Sequence, residues 1–424
     1  MGQGTVAQTF ALQHEKVRPQ LSLLYQLDAT LWNEIKSRTD IEVVSSRPTR
    51  VPLELLAGGT FTSNSPDGQD IGTGSAPVTD FMTLVPTYFF QCSQWTKQAE
   101  ISTNSDQKAI EDYSKLLMKR AMENFNTYME AVFTQGDGSN TLDTVATTAP
   151  VGQQYILVNN ANQFQDQQPI DIWTAINGTL SSQNVVQSVD AVNKTLWLAY
   201  PLSAQATAGY PILVRGSAGV SNSGLFGLFT YALSSNTGTV AGLSRSAYPG
   251  KLTTPYVNGG GFTLNQSEAR RLQGQLKISI GALKAMELDL MFNMGPDMLA
   301  AWENTGIAVS SVIQNQLTGD SSQDMLKKHT PKTFMGYPII GDGEGNIHAK
   351  LGRIDGIALK TYFRCENQPI DYYEVGGQTI FPSYGGSGGL NTSSFFYLWT
   401  GVQVGCENVR TQCYMDNVAI PTGY

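Results

Sequence analysis

Residues 106–138, DQKAIEDYSKLLMKRAMENFNTYMEAVFTQGDG, decide how this chain reads. Ile110, Tyr113, Leu117, Ala121, Phe125, Tyr128 and Val132 fall three or four apart, the spacing of one helix face. The pattern predicts a single helix over 106–135, roughly 45 Å long at 1.5 Å per residue. Glu111 can pair with Lys115 and Lys119 with Glu123, Ser105 can cap the start, and Gly136 offers a permissive backbone for the stop. A rod of that length suits a strut across a flat subunit rich in interfaces.

The flanks differ from it. Residues 1–45 read as an arm with one amphipathic patch at 21–35 and no core of its own. Residues 46–104 read as an excursion: two strand-like runs at 50–56 and 81–90 enclose 58–80, a tract of Gly, Ser, Thr, Asn, Asp and Pro that can bury almost nothing. The two runs predict a long β-hairpin, which is marginal in water without a neighbour to lie on. Leu53, Phe81, Phe89 and Trp95 are its candidate contacts.

Beyond the helix, 134–265 holds nine charged residues, as many as the 31 positions of 105–135 alone. Short strands at 154–158, 169–173, 185–192, 195–198 and 211–215, with a hairpin turn at 192–195, predict a small inserted β-barrel over 148–216. Helical spacing returns at 265–290, where Ser267 is the expected cap, and at 296–316, which Pro296 can open. The tail from 337 to 420 alternates strands with Gly-rich turns and predicts mixed sheet, so the class is α+β.

Composition narrows the function. Of 424 residues 41% are hydrophobic, enough for real cores, but only 15% are charged, and glycines number 42. Surfaces so poor in charge suit contact with copies of the same chain, although stable secreted β proteins share them. A formal charge of −8 argues against nucleic-acid binding by bulk electrostatics. The first twenty residues lack the pattern of a secretory signal, Val6 breaks the myristoylation pattern, and no apolar run approaches a membrane span.

Chemistry is hard to find. His14, His329 and His348, the last in an expected strand, have no G-x-S-x-G elbow to serve. Cys92, Cys365, Cys406 and Cys413 match no zinc spacing and read as buried thiols. GDGEGN at 341–346 lacks the ligand order of a calcium loop and reads as a tight hairpin turn. Neither an enzyme nor a cofactor or metal site is expected. Trp173 and Trp197 could stack on sugars in a carbohydrate-binding protein, but core aromatics explain them more simply.

Three motifs then line up in order: EAVFTQGDGS at 130–139, GLSRSAYP at 242–249 and TFMGYPII at 333–340. Together they resemble the major capsid proteins of tailed bacteriophages, the fold named after phage Hong Kong ninety-seven and shared by encapsulin shells. In that family a spine helix ends at a G-D-G turn, R-S-x-Y-P begins the return of the peripheral domain, and G-Y-P-I/V leads back into the sheet. The resemblance implies an N-terminal arm (1–45), an extended loop lying over the adjacent subunit (46–104), and a spine helix that starts the peripheral domain (105–147). It further implies the inserted barrel (148–216), the peripheral return (217–263), an axial domain (264–380) and C-terminal strands returning to the body (381–424).

Function follows as an expectation: hexamers and pentamers of one chain closing an icosahedral head around double-stranded DNA, located in the virion after assembly in the bacterial cytoplasm. The implied partners are further copies, with separate scaffolding, portal and decoration proteins. Residues 1–45 leave no room for a helical scaffolding segment, so scaffolding is separate or already removed. No Lys lies between Val51 and Thr96, which removes the family's Lys–Asn crosslink from the extended loop. An encapsulin-like compartment loading cargo enzymes is the nearest alternative.

Overall fold

The computed structural model describes residues 29–38, 40–44, 47–59, 74–96, 113–314, 332–384 and 390–422. The chain enters through α1 (Thr30–Arg38), then runs through β1 (Asp40–Val43), β2 (Thr49–Leu56), β3 (Val78–Leu84) and β4 (Thr87–Thr96) to the long helix α2 (Tyr113–Thr134). Six strands follow: β5 (Thr141–Thr147), β6 (Tyr155–Val158), β7 (Pro169–Trp173), β8 (Leu180–Asp190), β9 (Thr195–Leu198) and β10 (Pro211–Val214). The return holds α3 (Leu228–Tyr231), β11 (Thr239–Val240), β12 (Leu243–Ser244) and β13 (Tyr256–Asn258). Then come α4 (Gln266–Ile280), α5 (Ala282–Glu287), β14 (Leu290–Met294) and α6 (Pro296–Gln314). Last are β15 (Thr333–Phe334), β16 (Tyr337–Pro338), β17 (Ile354–Ala358), β18 (Tyr362–Tyr372), β19 (Phe381–Tyr384), β20 (Leu390–Cys406) and β21 (Cys413–Asp416).

Helix α2 is described from Tyr113, so the expected first turns and the Ser105 cap lie outside the described residues. Ala121, Phe125 and Val132 are buried and Leu117 half-buried on its inner face, as the spacing predicts; Tyr128 is only half-buried, and Met129 is buried in its place. On the outer face Arg120 pairs with Glu123 at i,i+3, and the expected Glu111–Lys115 pair lies outside the described residues. From Met129 to Thr134 every residue is buried, because the helix runs its last turn into the core.

Its stop has a different cause from the one expected. Gly136 is needed for close approach: a Cβ there would lie 2.7 Å from the Cα and N of Gly227, and one on Gly227 would lie 2.1 Å from the Phe133 carbonyl oxygen. The Gly136 carbonyl accepts from the amides of Gly227 (3.2 Å) and Thr230 (2.9 Å), which fastens the returning chain to the helix end. The left-handed turn sits two residues on, at Gly138 (φ 85°).

Two cores organise the molecule. One runs from α1 and α2 beneath a five-stranded sheet and into the barrel. In that sheet β20 is the long central strand. It pairs antiparallel with β18 and β19 on one side and β4 on the other, and β1 adds parallel to β18. The second core lies between α4, α6 and a four-stranded sheet of order β13-β21-β17-β14. Strands β5 to β10 close into a barrel in the order β10-β5-β6-β9-β8-β7, filled by Leu142, Ile156, Ile170, Val186, Leu196 and Ile212. It starts at Thr141, seven residues before the expected boundary, because the chain leaving the Gly-Asp-Gly turn is already its first strand.

Other expectations need correction. The run 81–90 is two strands broken at Val85–Pro86; Pro86 has no N–H to donate, and the chain passes there from one sheet to another. Asn265, not Ser267, caps α4, its side chain accepting from the Glu268 amide at 3.0 Å. The helical stretch 265–290 breaks at Gly281 (φ 93°), and Leu290 already belongs to β14. GDGEGN opens a 3-10 turn with Asp342 left-handed (φ 55°), and His348 lies in the turn that follows, not in a strand. Cys92 is exposed, whereas Cys365, Cys406 and Cys413 are buried, their thiols pushed up to about 12 by burial. Trp197 is no core aromatic: it is 46% exposed on the barrel, against Tyr155.

Candidate assembly interface

Strands β2 and β3 form the expected antiparallel ribbon, with Val51 opposite Met82, Pro52 opposite Phe81 and Leu53 opposite Asp80. Pairing forces alternation, so the ribbon has two faces. Val51, Leu53 and Leu55 face inward with Met82 and Leu84, while Pro52, Glu54, Leu56 and Phe81 face out. Beneath the ribbon lies a cavity of about 540 Å³, with Leu53 and Leu55 on one side and Leu243, Leu252 and Ile280 on the other.

The 242–249 motif tethers this ribbon. Arg245 is buried, and its guanidinium donates to the carbonyls of Leu233 (3.1 Å), Leu252 (2.6 Å) and Thr230 (2.6 Å), gathering the return loop around one cation. Burial holds that guanidinium below its ordinary range. Tyr248 donates its hydroxyl to the Asp80 carboxylate at 2.9 Å, and the Thr83 amide bonds to the Ala241 carbonyl at 2.7 Å. Spacing alone links 242–249 to the helix by resemblance; only the fold reveals that it grips β3.

A second surface escaped the sequence reading. The face of the five-stranded sheet turned away from α2 is aromatic. Phe90 stacks on Trp399 (ring centroids 6.0 Å, planes 9° apart), Tyr88 stacks on the same ring from the next pair, and Tyr373 meets it edge-on. Tyr397, Phe395 and Phe381 continue the row. Gly401 makes room, since a Cβ there would lie 2.6 Å from the Tyr88 ring. Phe90 is 59% exposed, a large apolar face for a lone molecule. Alternation in 87–96 could have signalled two faces, but nothing in the sequence places 395–399 beside them.

The four candidate contacts sit differently. Phe81 is 51% exposed on the outer ribbon face. Leu53 and Phe89 are half-buried against the first core, and Trp95 is only 4% exposed, its ring taken up by Phe396 within the same chain. Along β4, the edge away from β20 has no strand partner from Thr87 to Gln94 among the described residues. Among the described residues there is also no cluster of three His, Cys, Asp or Glu able to hold a metal.

The ribbon, the long helix under a sheet and the second, helix-flanked sheet make up the capsid fold named after phage Hong Kong ninety-seven, and this chain has that fold. Neither a protein-family model nor a curated protein matches the sequence. Among solved structures, the capsid of cyanophage A-1(L) aligns over 96% of this chain and 98% of its own, at 11% identity and TM-score 0.60. The capsid of a native GTA particle aligns over 98% and 99%, at 12% identity and TM-score 0.51. The SrpI encapsulin from Synechococcus elongatus covers 99% and 96% at 8% identity, but its TM-score of 0.46 adds nothing to the argument.

Proposed function

We propose that this chain is the major capsid protein of a tailed phage, a structural subunit and not an enzyme. Copies close into hexamers and pentamers and then into an icosahedral head around double-stranded DNA. The end-to-end likeness to a phage capsid carries the reading, since fold and chain length agree across almost all of both chains. The physical support is exposed surface on the single chain: an outer ribbon face led by Phe81, an aromatic sheet face led by Phe90, and a β4 edge from Thr87 to Gln94 that has no strand partner among the described residues. Each needs another molecule, and head-to-tail contacts between different surfaces are what close rings. The ribbon of one copy lies over the body of the next, with Phe81 in the lead and Leu53 and Phe89 behind it. The barrel is the extra domain some phages carry, and scaffolding, portal and decoration proteins are separate partners.

Negative-stain imaging and sedimentation of the expressed chain test this. Ring-shaped capsomers or megadalton particles are expected, and Phe81→Glu and Phe90→Glu should leave folded monomers. A wild-type chain that stays monomeric at every concentration refutes the shell reading. Nucleic acid inside particles from infected cells separates a head from a cargo compartment.

A further inference from the structure

We propose that Glu130 is a latch shared by two segments far apart in sequence, the arm helix α1 and the turn at 341–348, so that both are loosened together when it is lost. Glu130 lies on the last turn of α2 and is 0% exposed. Its Oε2 accepts from the Trp32 amide at 2.5 Å and its Oε1 from the Leu31 amide at 3.3 Å. Those are first-turn amides of α1, which has no acidic residue of its own there. A carboxylate from another helix therefore caps it, favoured by the helix dipole. The same Oε1 accepts from Asn346 Nδ2 at 2.6 Å, and Asn346 is also 0% exposed. Asn346 Oδ1 then accepts from the His348 amide at 2.9 Å, so one side chain relays the contact into the turn's backbone.

The two segments do not rest on Glu130 alone, which makes it a latch and not a foundation. Leu31, Trp32 and Ile35 bury their apolar surface against the first core, and Lys36 Nζ donates to Asn126 at 2.8 Å. On the other side, Asn160 of the barrel holds the Ile347 and Ala349 carbonyls at 3.2 and 3.1 Å. Losing the carboxylate should thus loosen both segments together at these amides, while their remaining contacts keep them docked and the barrel and α2 stay folded.

Hydrogen exchange by mass spectrometry on the full chain tests this with Glu130→Gln, whose amide presents an N–H₂ to donors. Charge-assisted bonds of this kind predict exchange faster by about ten-fold or more at Leu31 and Trp32, and equally at Gly345, Asn346 and His348. Barrel strands β6 to β9 should not change. Acceleration in only one of the two segments overturns the proposal, as does uniform acceleration that includes the barrel. Glu130→Asp, which keeps the charge but shortens the reach, must give the same paired response. If Glu130→Gln does not fold, that variant alone decides.

Discussion

Replacing Arg245 by Met keeps the length and apolar stem of the side chain and removes its charge and donors. Two carbonyls, those of Thr230 and Leu252, then lose their partner, while that of Leu233 keeps the Thr254 amide at 3.1 Å. A buried acceptor left alone costs about 1–3 kcal/mol, so the gross loss is about 2–6 kcal/mol. Against this stands the relief of no longer burying a guanidinium, worth several kcal/mol. The expected net destabilisation is about 1–3 kcal/mol. Arg245→Lys should recover part of it, since one ammonium keeps the charge but lacks the planar fork that reaches several carbonyls. Guanidinium denaturation of the unassembled chain measures the difference, and exchange in 233–252 localises it. If Arg245→Met unfolds within about 0.5 kcal/mol of the parent, or Arg245→Lys matches the parent fully, the motif is not a cation-centred staple.

Three further outcomes follow from the same geometry. Gly227→Ala should destabilise the chain by about 2–5 kcal/mol, because its Cβ meets the Phe133 carbonyl at 2.1 Å where backbone crosses backbone; normal expression and unchanged melting would contradict it. Asp143, its carboxyl pushed up to about 6 by burial, holds a proton in the folded chain that the unfolded chain releases near 4. Its contribution is therefore present below pH 4 and lost as pH rises through about 6, by up to about 3 kcal/mol; Asp143→Asn should flatten that slope in pH-dependent denaturation. Tyr248→Phe cuts the hydroxyl bond to Asp80 and should speed exchange in β3 while leaving the aromatic sheet face unchanged; equal exchange in β3 would mean the ribbon is held from elsewhere.

How much was legible in the sequence follows from how local each feature is. The inner face of α2, the ribbon pairing of β2 with β3 and the strand runs of the barrel were readable, since helical spacing, alternation and turn residues are properties of neighbouring positions. The two runs flanking the Gly- and Ser-rich tract were likewise readable, but not that the inner face of their ribbon packs on its own chain. What tertiary structure alone decided involves partners far apart in the chain. Gly136 needed the approach of Gly227, Arg245 needed three loop carbonyls, and Trp399 joined Tyr88 and Phe90 across more than three hundred positions of sequence. Periodicity tells a side chain which way to face but never what will meet it there. That is settled only when the whole chain has closed, because desolvation and close contact depend on atoms the local sequence does not contain.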